Sequence, residues 1–148
     1  MSALDDKVRS FSMARIKDDL KLLMDRQVKQ IKLVDRTFNY SAERTCEIFS
    51  FILDNNISSH FHFEIGAHLL DEETLALLGT VPEGMFQFEI GVQSTLESTL
   101  DAIGRKVNMK KLEENIRSLR KSNRIHMHLD LVAGLPGDNY NSFLKSID

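Results

Sequence analysis

Four short runs rich in β-branched and aromatic residues, each set apart from the next by helical spacing, constrain what this chain can fold into. They are VKQIKLVD (28–35), HFHFEIG (60–66), MFQFEIG (85–91) and RIHMHLDLV (124–132). Strands separated by helices do not pair as hairpins. Parallel neighbours need a long connection to return to the same end of a sheet, and such crossovers are right-handed. The expected class is α/β, with four parallel strands alternating with helices as a partial TIM-type barrel. A closed eight-stranded barrel takes about 250 residues, so the 148 residues here make at most half of one. No Pro/Ser-rich linker, low-complexity tract or further repeat interrupts the rhythm. The expectation is one partial domain over 1–148, the central units of a longer barrel.

The intervening segments carry their own punctuation. SMARIKDDLKLLMDRQ places Ile16, Leu20, Leu23 and Met24 on one stripe, with Ser12 as cap. SAERTCEIFSFILDNN (41–56) ends at an Asn pair, and DEETLALLG (71–79) is bounded by Asp71 and Gly79. In STLESTLDAIG (94–104), Ser94 and Glu97 have the spacing of a capping box. MKKLEENIRSLRKSN (109–123) precedes the fourth strand, and a last helix begins near Asp138.

Period-two geometry divides each strand. Phe61, Phe63 and Ile65 oppose His60, His62 and Glu64; Phe86, Phe88 and Ile90 oppose Gln87 and Glu89; Ile125, Met127, Leu129 and Leu131 oppose His126, His128 and Asp130. Strands of a doubly covered parallel sheet usually read as near-continuous Val, Ile and Leu. Helices therefore belong on the apolar side, and the polar side lines a lumen or cleft. Leaving such groups buried and unpaired costs roughly 1–3 kcal/mol each, so they must bond to each other, to water or to a ligand.

Composition narrows the partners. A net charge of −3 with interspersed signs offers no basic face for nucleic acid. No apolar stretch reaches the roughly 20 residues that cross a bilayer, and MSALDDKVRS lacks the apolar segment of a signal peptide. Neither nucleic acid nor membrane is an expected partner, and the expected compartment is the cytoplasm. The single cysteine, Cys46, falls on a helical stripe and is read as packing. The pairs His60/His62 and His126/His128 each direct two imidazoles to one side, as in barrel metallohydrolases, and Glu64 and Asp130 could join them around zinc. Against that, these histidines fall early in their strands, whereas ligands of α/β sheets gather beyond the carboxyl ends. At those ends lie IG (65–66), IGVQS (90–94) and GLPG (134–137), where glycine lets backbone approach a ligand.

Taken together and in order, FHFEIG, FEIGVQS, LDAIGRKVN and HLDLVAGLPG resemble the radical S-adenosylmethionine (radical SAM) enzymes. The likeness is to the branch with cobalamin-binding and coproporphyrinogen-oxidase-like members, and runs from about Val8 to the C-terminus. It implies that Asp35, Arg36 and Thr37 stand where a glycine-rich segment receives the methionine amino group. It also implies that Glu64 is a cofactor-facing acid and Gln93 a ribose or methionine contact. Arg105 would pair with the methionine carboxylate, Asp130 would bind the ribose hydroxyls, and backbone at Val132 would touch adenine. A guanidinium offers paired donors to a carboxylate, and a carboxylate accepts from both ribose hydroxyls, so the residue types suit these roles.

The family holds a four-iron (4Fe-4S) cluster on Cys-x-x-x-Cys-x-x-Cys after its first strand, and that motif is absent here. VRSFSMARI resembles the family's segment just downstream of that cysteine loop, so the first strand with its cluster loop and the C-terminal units are expected to lie outside this chain. In the full-length parent the resemblance implies reductive cleavage of S-adenosylmethionine to a 5′-deoxyadenosyl radical acting on a small-molecule substrate. Any cobalamin domain would lie upstream of residue 1. The 148-residue piece alone is expected to be inactive and to self-associate through unpaired outer strands. A metal-dependent hydrolase using the His-x-His pairs and a non-catalytic binding module are the alternatives.

Overall fold

A computed structural model of the chain describes residues 10–147. The N-terminal stretch read for a signal peptide lies outside them apart from Ser10, as does Val8, where the family likeness begins. Element order is α1 (Met13–Asp25), β1 (Gln30–Leu33), α2 (Ala42–Asn55), β2 (His60–Ile65), a 3-10 turn (Ala67–Leu69), α3 (Glu72–Leu78), β3 (Phe86–Gln93), α4 (Glu97–Ala102), α5 (Met109–Ser122), β4 (His126–Leu131) and α6 (Tyr140–Ile147). The four strands form one parallel sheet in the order β1-β2-β3-β4, each paired with its successor in sequence. The expected class and strand count hold.

Local signals account for most boundaries. Ser12, Ser41 and Asp71 each accept a hydrogen bond from the backbone N–H three residues on, which satisfies a donor the first turn leaves free. The Asp71 carboxyl is accordingly held below the usual aspartate range, chiefly by its bonds from Thr74. Helix α2 stops at the Asn pair because Asn56 turns away to bridge Ser59, donating to its carbonyl and accepting from its N–H. The capping box expected at Ser94 and Glu97 does not form. Ser94 instead accepts from Leu96 N–H two residues on, and α4 starts at Glu97 without a side-chain cap, because β3 runs on to Gln93 and consumes the approach.

The apolar side of the sheet meets the helices in one core. Phe61, Phe63, Phe86 and Phe88 are wholly or almost wholly buried against Ile48, Phe49 and Ile52 of α2, Leu78 of α3 and Leu112 and Leu119 of α5. Register sets Phe61 beside Phe86 and Phe63 beside Phe88. Phe49 enters from α2 and packs on the rings of Phe63 and Phe86 with centroid distances of 5.1 Å, the first edge-on. Leu129 on β4 lacks this cover and is 47% exposed.

Two buried asparagines tie the chain beyond β2. Asn39 donates to the Gly66 carbonyl (2.9 Å) and accepts from the Gly66 N–H (2.8 Å), clamping the loop after β1 to the end of β2. Phe38 N–H donates to the Glu64 carbonyl in the same place. Asn115 of α5 donates to the carbonyls of Ala67 and Leu70 at either end of the 3-10 turn. Replacing Phe49 by Ala is expected to cost about 3–5 kcal/mol in urea unfolding, the range for a buried aromatic. Asn39→Ala leaves the Gly66 N–H unpaired, while the Gly66 carbonyl keeps the Leu69 N–H, and is expected to cost about 1–3 kcal/mol in the same measurement.

Candidate functional site

The polar face of the sheet is built in rungs. Register aligns Lys32, His62, Gln87 and His126 in the first, then Glu64, Glu89 and His128, then Gly91 and Asp130, with Gly66 following Ile65 beside Gly91. Neighbouring carboxylates at Glu64 and Glu89 would repel, and Lys32 reaches up between them, its Nζ 3.3 Å from Glu89 Oε2 and 3.8 Å from Glu64 Oε1. His62, itself buried, brings Nε2 to 3.2 Å from Glu89 Oε2 without the alignment of a hydrogen bond. Lys32 thus balances the two carboxylates, while His60, His126, His128 and Asp130 of the same face are exposed to solvent.

The histidine pairs are used separately. His60 Nδ1 engages the Gly84 carbonyl at 2.9 Å, and His126 and His128 lie edge to face at 4.7 Å on the outer strand. Among the described residues, no group of three or more His, Cys, Asp and Glu is placed to hold a metal ion. Cys46 Sγ lies 3.2 Å from Thr74 Oγ1, between α2 and α3.

Beyond the last rung the strands change character. Register shifts between Gly91 and Gln93, so that Gly91 opposes Asp130 while Gln93 opposes Leu131, and Gln93 takes a left-handed φ of 70°. This bulge turns the Gln93 amide back over Gly91, where a Cβ would lie only 2.6 Å from Nε2. The same space meets Arg105, whose Nη2 donates to the Gly91 carbonyl at 2.5 Å. Arg105 reaches there from the turn after α4, set by Gly104 at φ 70° and by its own N–H on the Leu100 carbonyl. Burial lowers the pKa of its guanidinium, and its Nε is enclosed with no hydrogen-bond partner. Val132 N–H donates to the Gln93 carbonyl at 2.9 Å, joining β4 to the bulge.

Gln93, Arg105, Asp130 and Val132 therefore meet at the carboxyl ends of β3 and β4. Glu64 belongs to the rung below, engaged with Lys32. Asp35, Arg36 and Thr37 sit two strands away in the turn after β1, where Thr37 Oγ1 donates to the Arg36 carbonyl. They line a cleft of about 640 Å³ between that turn, α1 and α2. Asp35 and Arg36 do not pair with each other in the structure.

Three residues of this region escaped the sequence reading. Asn39 sits in RTFNYS, which reads as a plain turn. Asn115 had a signal, a polar residue on the buried stripe between Leu112 and Leu119. His68 had none, since the 3-10 turn has no periodic pattern.

Although burial pushes the Glu89 carboxyl up, Lys32 and His62 outweigh it and hold the group below the ordinary glutamate range. A depressed carboxyl adds stability above its unfolded pKa, and that stability is lost as pH falls through the folded value. Lys32→Met is expected to raise the Glu89 titration midpoint in carbonyl-detected NMR and to flatten the acid limb of the stability curve.

The family model described as the Radical SAM superfamily matches residues 2–148. A segment of 88 residues is 32% identical to anaerobic coproporphyrinogen III oxidase 1 of Cereibacter sphaeroides, covering 60% of this chain and 19% of that protein. The oxygen-independent coproporphyrinogen III oxidase of a second strain of that species matches at the same identity and extent. Among solved structures, coproporphyrinogen III oxidase (HemN) of Escherichia coli superposes with a TM-score of 0.66 at 16% identity, over 90% of this chain and 33% of that one. The apo form of the cobalamin-dependent S-adenosylmethionine radical enzyme OxsB superposes with a TM-score of 0.69 at 16% identity, over 97% of this chain and 23% of that one. At such identity the two structures establish a shared fold. The aligned segment spans about a fifth of the curated relatives' length. With a family match over nearly its whole length, the chain belongs to the radical SAM superfamily.

Proposed function

We propose that this chain carries most of the S-adenosylmethionine pocket of a longer radical SAM enzyme. The observation that supports this best is the corner around Gly91. A partly buried guanidinium is anchored there by one nitrogen while its Nε has no partner, beside a glycine whose missing side chain admits the guanidinium and the Gln93 amide. Those residues suit a ligand carboxylate, which would complete the donors of Arg105. Gln93 lies over the same glycine, and the exposed Asp130 is across the rung, suited to ribose hydroxyls. Backbone at Val132 would border the adenine. Glu64 faces the cofactor from the rung below, and Asp35, Arg36 and Thr37 would approach the methionine amino end from the β1 side.

The residues present do not fit a four-iron cluster. The chain has one cysteine, Cys46 on α2, whose Sγ faces Thr74 of α3. Cluster and first strand are therefore assigned to parts of the parent outside 1–148, as is any cobalamin domain. The part proposed for this chain is to bind and orient the cofactor. The whole protein is proposed to act in the cytoplasm on a small molecule, and this piece alone to be inactive as one partial core domain. Among the described residues no helix is long and apolar enough to cross a membrane. The open edges of β1 and β4 are proposed to pair with other strands, those of the parent or a second copy.

Anaerobic reconstitution of the full-length protein tests the reading: 5′-deoxyadenosine is expected on reduction with S-adenosylmethionine, and none would overturn it. In the 148-residue chain, Arg105→Gln is expected to weaken S-adenosylhomocysteine binding about 10- to 100-fold by calorimetry. Light scattering should find the isolated chain larger than a monomer, and a clean monomer would sink the edge-pairing proposal.

A further inference from the structure

Gly66 and Gly91 each follow directly on the last register pair of β2 and β3, Ile65 and Ile90. Each is overhung by two side chains, one of them cationic or ionisable. A Cβ on Gly91 would meet Gln93 Nε2 at 2.6 Å and Arg105 Nη2 at 3.5 Å, and one on Gly66 would meet His68 Cε1 at 3.1 Å, Leu69 Cδ1 at 3.2 Å and His68 Nδ1 at 3.4 Å. Two nitrogens in this corner, Arg105 Nε and His68 Nδ1, are enclosed without any hydrogen-bond partner. An enclosed donor left unpaired costs stability, so two of them beside these glycines mark a place where an acceptor belongs.

His68 is also held firmly in place. Its turn is fastened from both sides, Asn39 clamping Gly66 and Asn115 holding Ala67 and Leu70. Nothing in the core requires an imidazole there. The charged groups that face it are Arg105, from the turn after α4, and Lys111 of α5. Burial first, then these two cations, keeps its pKa below the ordinary histidine value. The imidazole is thus neutral over more of the physiological range and has one N–H to give.

We infer that His68 is a ligand-contact residue that shares with Arg105 the recognition of an amino-acid carboxylate, donating from Nδ1 while the guanidinium donates from Nε. This rests on the cofactor reading above and adds to it a donor from β2's end of the pocket. The carboxylate would then bridge the two glycines, with its charge offset by Arg105 and Lys111 and its lone pairs taken by two elements instead of one. An anion at that place also favours the protonated imidazole, so binding should draw His68 upward in pKa.

Calorimetry on the 148-residue chain, comparing S-adenosylhomocysteine with 5′-methylthioadenosine, which lacks the carboxylate and amino group, tests this. His68→Phe is expected to weaken the first about tenfold or more and leave the second unchanged, with His68→Gln recovering much of the loss. In the wild type, the first ligand and not the second should raise the His68 titration midpoint in NMR. Equal affinity of wild type and His68→Phe for S-adenosylhomocysteine overturns the inference, as does an equal loss for both ligands, which marks a structural role. If the wild type binds neither ligand, the cofactor reading fails and takes the inference with it. Matching melting curves for the Phe and Gln variants confirm that each is folded.

Discussion

In-register parallel pairing of Phe61 with Phe86 and of Phe63 with Phe88 is the constraint on which the rest of the structure depends. These four rings and Phe49 fill the space between sheet and helices. Because side chains alternate with a period of two, a slip of one residue would carry every ring to the other face and bring histidines and glutamates into the core. The aromatic cluster therefore fixes the polar residues as firmly as it fixes itself. Lys32, His62, Glu64 and Glu89 meet on one face because their neighbours in sequence cannot leave the other.

Electrostatics then orders that face from one end to the other. The middle rung brings two carboxylates together, and Lys32 with His62 compensates them. The final rung carries no side chain on Gly66 or Gly91, and there the internal compensation stops: Arg105 commits one nitrogen to a carbonyl and keeps another unpaired. Lys32 thus balances the carboxylates of the middle, while the strand carboxyl ends, where α/β sheets bind their ligands, keep a guanidinium nitrogen without a partner. The bulge at Gln93 belongs to the same design, since its left-handed residue ends regular pairing and aims an amide at the bare glycine.

Much of this was legible residue by residue. Apolar alternation in HFHFEIG and MFQFEIG located β2 and β3 and their faces, and Ser12, Ser41 and Asp71 were visible as caps because capping is a local hydrogen bond three residues long. The ordered motifs carried the family, and with it Gln93, Arg105, Asp130 and Val132, which the fold does gather at one place. Ser94 misled for a related reason: its spacing to Glu97 was right, but β3 extended to Gln93 and left the helix to start without it. His-x-His suggested a metal because period two aligns the two imidazoles. In the fold His60 turns to the Gly84 carbonyl and His62 to Glu89, residues outside the run, while His126 and His128 lie edge to face on β4.

By itself, then, the sequence determined the parallel α/β class, the two-faced strands and the family, because periodicity, capping and motif order are properties of residues close together in the chain. Only the tertiary structure decided that Lys32 bridges Glu64 and Glu89, that Asn39 and Asn115 fasten the turn bearing His68, and that His68 and Arg105 overhang adjacent glycines. Those contacts join residues 27 to 57 positions apart or are set by strand register. Distance of that kind is created by sheet pairing and helix packing, and no local pattern encodes which two side chains will end on the same rung.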